Sequence, residues 1–151
     1  DSNGLTSKQQ TALSNGQFSK IIVVGGVNAV PERVAAKAQS ITGAQLTRLS
    51  GATRYETSER IARWATGHGL GMDGAVYATG ANFPDALAAG PLAGRAGAAT
   101  LLVEDANSPA IPFSAGYRGK VNRAYVVGGE NAVSRSTADA IADSLGLKHA
   151  Q

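Results

Sequence analysis

Two arginines flank a run dense in hydroxyls, Arg48-Leu49-Ser50-Gly51-Ala52-Thr53-Arg54-Tyr55-Glu56-Thr57. A guanidinium presents planar, permanently charged donors that match acidic oxygens, and neighbouring hydroxyls add further donors. Arg48, Arg54, Tyr55 and Thr57 are therefore candidate ligands for acidic or sugar oxygens. A second run, Thr79-Gly80-Ala81-Asn82-Phe83-Pro84-Asp85-Ala86-Leu87, supplies Thr79, Gly80 and Asp85 as a facing edge. Asp85 falls in the first turn of an expected helix, where a carboxylate offsets the helix dipole. With no histidine nearby, capping or a structural hydrogen bond outweighs catalysis there.

A third element occurs twice. Val23-Val24-Gly25-Gly26-Val27-Asn28-Ala29-Val30 returns 103 positions later as Val126-Val127-Gly128-Gly129-Glu130-Asn131-Ala132-Val133, with one residue changed. Each copy ends an apolar run and leads towards a helix, so free amides and the helix dipole are expected to converge on Gly25, Gly26, Gly128 and Gly129, as at anion sites. The competing reading is a tight strand-to-helix turn that only glycine permits.

Catalytic signatures are weak by comparison. Gly69-Leu70-Gly71-Met72-Asp73-Gly74 matches the dinucleotide spacing but precedes a strand instead of following one, and reads as a loop. No phosphate-binding loop with Lys-Ser or Lys-Thr and no Gly-x-Ser-x-Gly elbow occurs. His68 and His149 are isolated, which leaves no zinc site and no histidine-activated nucleophile. Glu104-Asp105 is the one acidic pair that could hold magnesium, against the plainer reading of a solvated turn. No catalytic residue, metal or cofactor is assigned.

The elements that carry these residues alternate. Apolar, β-branched runs predict buried strands at Lys20–Val24, Gln45–Leu49, Ala75–Thr79, Thr100–Val103 and Ala124–Val127. Between them, amphipathic stretches predict helices at about Pro31–Ile41, Arg54–Ala65, Pro84–Ala96, Pro109–Ala115 and Ser134–Leu145. On the second of these helices, Glu59 and Arg63 sit four apart and can pair along a helix face, as can Glu56 and Arg60. Strands separated by single helices imply an α/β fold, a Rossmann-like three-layer sandwich with a mostly parallel sheet. The first twenty residues are expected to mirror Asn107–Arg123, a short helix leading into the repeated strand.

The 151 residues, with 43% apolar and 17% charged, suit a globular chain with a real core. A net charge of +3 mildly favours polyanionic partners. Basic residues are scattered without interleaved aromatics, which argues against nucleic acid. The absence of cysteine removes disulfides and thiolate chemistry. No membrane span or signal peptide is found, and the opening Asp1 fits a processed or excised product.

Taken together, the Arg48–Thr57 run, the Thr79–Leu87 run, Thr100-Leu101-Leu102 and Val126-Val127-Gly128-Gly129 resemble the cell wall binding repeat 2 family of Gram-positive surface proteins and related secreted proteins. Residues 46–145 are similar to one complete repeat, and residues 1–42 to the C-terminal part of a preceding one. The resemblance implies a non-catalytic anchor, secreted to the cell surface in the manner of S-layer-like proteins, that holds its protein on an anionic wall polymer. A teichoic-acid-like chain or a secondary wall polysaccharide is the implied ligand. The family commonly packs three tandem repeats around a pseudo-threefold axis, so neighbouring copies or a homo-oligomer are implied partners. An Ile-Leu-Leu segment is associated with polymer attachment in the family; Leu101 and Leu102 carry over, while Thr100 stands in place of the isoleucine. The rival readings are a wall amidase, a metal-dependent phosphoryl-transfer domain, and a purely structural repeat for assembly.

Overall fold

A computed structural model describes residues 4–149, the side chain of Phe83 apart. The chain divides into two compact units, residues 1–52 and 53–151. In the first, α1 (Ser7–Asn15) starts from a capping box in which Thr6 and Gln9 satisfy each other's backbone amides. β1 (Lys20–Val24) follows, then α2 (Glu32–Thr42), stopped by Gly43 in the left-handed region, then β2 (Gln45–Leu49). β1 and β2 pair in parallel from Lys20↔Gln45 to Val24↔Leu49. Val34, Ala35 and Ala38 recur at helical spacing as the buried stripe of α2.

The second unit runs α3 (Arg54–Gly67), β3 (Gly74–Thr79), α4 (Phe83–Ala96), β4 (Thr100–Val103), α5 (Ala110–Ala115), β5 (Arg123–Val127) and α6 (Arg135–Leu145). Its strands form one parallel sheet in the order β4-β3-β5. β3 is central and buried at every position, as its uninterrupted apolar and small residues require. Alternate residues of β3 serve opposite faces. Ala75 and Tyr77 join a large cluster with Ala62 of α3, Phe113 of α5, and Ile141 and Leu145 of α6. Val76 and Ala78 face Ala89 and Ala93 of α4. Helices thus cover both faces of this sheet, the three-layer α/β arrangement expected.

One polar contact is sealed in the larger cluster. Tyr77 Oη lies 2.6 Å from Ser114 Oγ, which donates to the Ala110 carbonyl at 2.6 Å. Burial pushes the Tyr77 phenol up to about 12, with the Ser114 hydrogen bond opposing.

All strands and helices stand within two residues of their expected bounds, and α1 is the short helix expected before the first repeated strand. β2, most of which lies in the repeat expected over residues 46–145, pairs with β1, and the compact units part after Ala52.

Candidate binding cleft

In the second unit, β4 and β5 flank β3 on opposite sides, although the chain visits β4 first. Such reversals of strand order leave a crevice at the carboxyl ends of the strands, where open α/β sheets hold ligands. Here those ends carry Thr79-Gly80-Ala81-Asn82, Glu104-Asp105 and Gly128-Gly129.

A depression of about 240 Å³ lies at this edge, lined by Arg54, Thr79, Gly80, Asn82, Ala86 and Leu102. Arg54 is delivered by the first turn of α3, which starts at Thr53; the Thr53 hydroxyl accepts the Glu56 amide at 3.2 Å. Its guanidinium donates to the Gly80 carbonyl at 2.6 Å, which fixes the head group and leaves further N–H donors on the same plane. The Tyr55 ring lies on Gly80: a Cβ there would fall 2.4 Å from a ring carbon, so only glycine admits the ring. Burial raises the Tyr55 pKa and Glu104 raises it further, while Arg54 acts in the opposite sense. Thr79 is buried, and its hydroxyl accepts the Ala81 amide at 3.1 Å, shaping the turn that leads into α4.

Ser58 and Asn82 complete the setting and were not singled out in the sequence. The Ser58 hydroxyl donates to the Tyr55 carbonyl at 2.8 Å and accepts the Leu102 amide at 3.0 Å, so α3 closes the outer edge of β4. No local pattern marks Ser58, because its partner is 44 residues away. Asn82 has such a signal: it immediately precedes α4 with Pro84 in the first turn.

The other expected residues have definite places. Asp85 stands in the first turn of α4 and close to the second Gly-Gly turn; a Cβ on Gly128 would lie 2.9 Å from its Oδ2. The Thr57 hydroxyl donates to the Thr53 carbonyl at 2.9 Å within its own helix. Leu102 lines the cleft, whereas Leu101 is fully buried in the larger cluster, so packing is the role its position gives it. Glu104 and Asp105 form a turn in which both amides donate to Ser108 Oγ and Asp105 Oδ1 accepts the Asn107 amide. Among the described residues no group of three or more His, Cys, Asp or Glu is arranged to hold a metal ion.

Arg48, Gly25 and Gly26 belong to the first unit. There Arg48 Nη1 donates to the carbonyls of Gly25 at 2.8 Å and Val30 at 3.0 Å, while Nη2 pairs with Glu32 at 3.1 Å. The expectation that each Gly-Gly pair opens straight onto a helix is corrected. The carbonyl of Gly26 accepts the amides of Ala29 and Val30, and that of Gly129 accepts those of Ala132 and Val133, so a closed turn stands between glycines and helix. Helices α2 and α6 begin only at Glu32 and Arg135. What the turns do require is glycine, since Gly25 and Gly128 have φ of +108° and +120°.

Comparison with known proteins gives these features a context. The family described as Cell wall binding domain 2 (CWB2) matches residues 48–138. N-acetylmuramoyl-L-alanine amidase LytC of Bacillus subtilis (strain 168) is 28% identical over 138 residues, which span 90% of this chain and 26% of that protein. Among solved structures, Cwp6 from Clostridium difficile superposes with a TM-score of 0.84 at 21% identity, over 95% of this chain and 22% of that one. Cwp8 from Clostridium difficile gives 0.78 at 26% identity, over 98% and 25%. The chain therefore spans about a quarter of the length of each of these proteins.

Proposed function

The chain belongs to the cell wall binding domain 2 family, and from that premise we propose that it is a non-catalytic module that anchors a secreted surface protein to an anionic wall polymer. The observation that carries the reading is the convergence of Arg54, Thr79, Gly80 and Asn82 on one depression at the carboxyl ends of the second unit's strands. Arg54 supplies the charge, and its bond to the Gly80 carbonyl holds the guanidinium ready without ordering cost on binding. Tyr55 offers a phenol O–H, a donor suited to a sugar or phosphate oxygen. Asp85 stands against the neighbouring glycine turn, and Thr79 shapes the cleft floor. Arg48 contributes by holding the first Gly-Gly turn in shape. The ligand class is a teichoic-acid-like chain or a secondary wall polysaccharide, and neighbouring copies of the repeat are the protein partners. Among the described residues no helix is long and apolar enough to cross a membrane.

The test is sedimentation of the purified chain with intact walls and with walls stripped of teichoic acid, at rising salt. Binding should weaken with salt, as screened charge pairing must, and fall on Arg54→Gln. Retention that ignores salt, polymer removal and Arg54→Gln alike overturns the reading. Release of wall fragments by the chain, abolished by a substitution within it, would replace anchoring with hydrolysis.

A further inference from the structure

The cleft of the second unit gathers charges of both signs. Among the described residues that line it, Arg54 alone is charged, and the side chains of Ala86 and Leu102 give it apolar walls. The rim beside it is acidic. Thr79 of β3 is paired with Val103 of β4, and the Gly80 amide donates to the Val103 carbonyl at 3.2 Å, so Glu104 follows beside the very glycine whose carbonyl holds Arg54. Tyr55 feels all of these charges. Its ring lies on Gly80; burial raises its pKa most, Glu104 adds to this, Arg54 opposes and Asp105 raises it again.

The two acidic residues stand on a fixed turn. The hydroxyl oxygen of buried Ser108 accepts the Glu104 amide at 2.8 Å and the Asp105 amide at 3.1 Å, while Asp105 Oδ1 accepts the Asn107 amide at 2.8 Å. Both residues are exposed, and among the described residues Glu104 forms no salt bridge. One positive and two negative charges thus border a small opening. A polymer bearing only phosphates or carboxylates is attracted by Arg54 and repelled by Glu104 and Asp105, an arrangement ill suited to a plain polyanion. A unit with an amine next to its acidic group meets attraction at both ends.

We infer that the cleft takes a zwitterionic unit of the wall polymer, its phosphate or carboxylate on the Arg54 guanidinium and a neighbouring ammonium on the carboxylates of Glu104 and Asp105. The inference rests on the wall-binding reading and narrows its ligand. Ala86 and Leu102 then meet the carbon skeleton between the two charges. Asp105 already holds the Asn107 amide, so Glu104 is the principal ammonium partner. The amine can belong to a free amino sugar or to an aminoacyl ester, both of which present the same charged donor. In either case the acidic rim is the discriminating element, since it disfavours units that lack the amine.

The test is sedimentation of the chain with untreated walls and with walls whose amines are blocked by acetic anhydride, a chelator being present throughout so that no divalent cation replaces the amine. Acetylation leaves the wall more negative, so a plain polyanion site on a chain of net charge +3 should bind it at least as well. A zwitterion site should bind it about fivefold more weakly, the scale of one exposed charge pair. Glu104→Gln should lose about as much on untreated walls and nothing on acetylated ones, whereas Arg54→Gln should weaken both. Mild alkali removes aminoacyl esters and spares amino sugars: binding lost after it assigns the amine to an ester, binding kept assigns it to a sugar. Equal or tighter binding to acetylated walls, or a Glu104→Gln variant that discriminates as the parent chain does, overturns the inference. If salt and Arg54→Gln still act in that case, anchoring stands without it; no sedimentation with either wall overturns both.

Discussion

One eight-residue motif is folded twice in this chain, and its two settings differ in what holds the glycine turn. In the first unit an arginine from the next strand threads between two carbonyls of the turn, and the buried residues described there are Val23, Val34, Ala35, Ala38 and Ala44, all small or medium and apolar. In the second, an aspartate from α4 stands against the turn, and the core contains Tyr77, Leu101, Phe113 and Ile141 together with buried hydroxyls at Ser58, Thr79, Ser108, Ser114 and Thr137. The lesson is that a local sequence sets the turn, through positive φ at its first glycine, while its surroundings decide whether the turn is secured by a donor or crowded by an acceptor.

The sharpest way to break the comparison is to give both turns a methyl group. Gly128→Ala should cost about 3 kcal/mol, from strain at φ +120° plus contact with Asp85 Oδ2 and with Ala132 Cβ, the latter at 3.0 Å. Gly25→Ala, with only Ala29 Cβ at 3.1 Å, should cost less. In an Asp85→Ala background the gap between the two should narrow when measured by denaturant unfolding. Equal penalties in every background would show that Asp85 plays no part in the second turn.

Next in size is a pH effect confined to the second unit. The Tyr77 pKa rises from 10.0 to about 12, so its contribution is fully present below pH 10 and is lost as pH climbs through 12. The native state should lose roughly 2–3 kcal/mol across that window through this group. Tyr77→Phe should flatten this part of the profile, and ultraviolet difference spectra should show one tyrosine that ionises only when the unit unfolds. Ionisation of all four tyrosines near 10 without unfolding would contradict the sealed setting.

Arg48→Ala should cost about 2 kcal/mol, because two turn carbonyls and Glu32 lose a charged donor at once. Arg48→Lys should recover only part of this, since an ammonium cannot reproduce the fork. Hydrogen exchange should place the loss on β1 and β2 and leave β3 unchanged. The smallest effect belongs to the surface of α6. His149 has its pKa raised by the Asp143 hydrogen bond, at 2.8 Å, and by Asp139. An NMR titration of Asp143→Ala should lower it towards 6.5 with little change in the unfolding midpoint.

Much of this was legible from the residues alone. Strands such as Lys20–Val24 and Thr100–Val103 announce themselves because β-branched and apolar runs bounded by turn formers have few other uses. The helix starts at Thr53 and Ser134 are visible as hydroxyl caps. Arg48 and Arg54, close in sequence, have separate partners: Arg48 serves the turn at Gly25 and Arg54 the loop at Gly80. A strand residue and a helix residue six positions apart can belong to different compact units, and nothing local reports which. The ring of Tyr55 on Gly80 was hidden for the same reason, since an absent Cβ becomes meaningful only when its neighbour is known. Leu101 and Leu102 illustrate the rule of alternation: adjacent residues of one strand face opposite layers, and only Leu102 lines the cleft.

The pairing of β2 with β1 has a consequence for how such chains change length. Here β2, which follows the first copy of the repeated motif, pairs with the strand β1 that leads into that copy. Unequal crossing-over between two copies of the eight-residue motif therefore removes or inserts a donor strand and an acceptor strand together. The strand pairing that joins the two copies is of a kind already present, so a chain that gained one more period could use the same contact again.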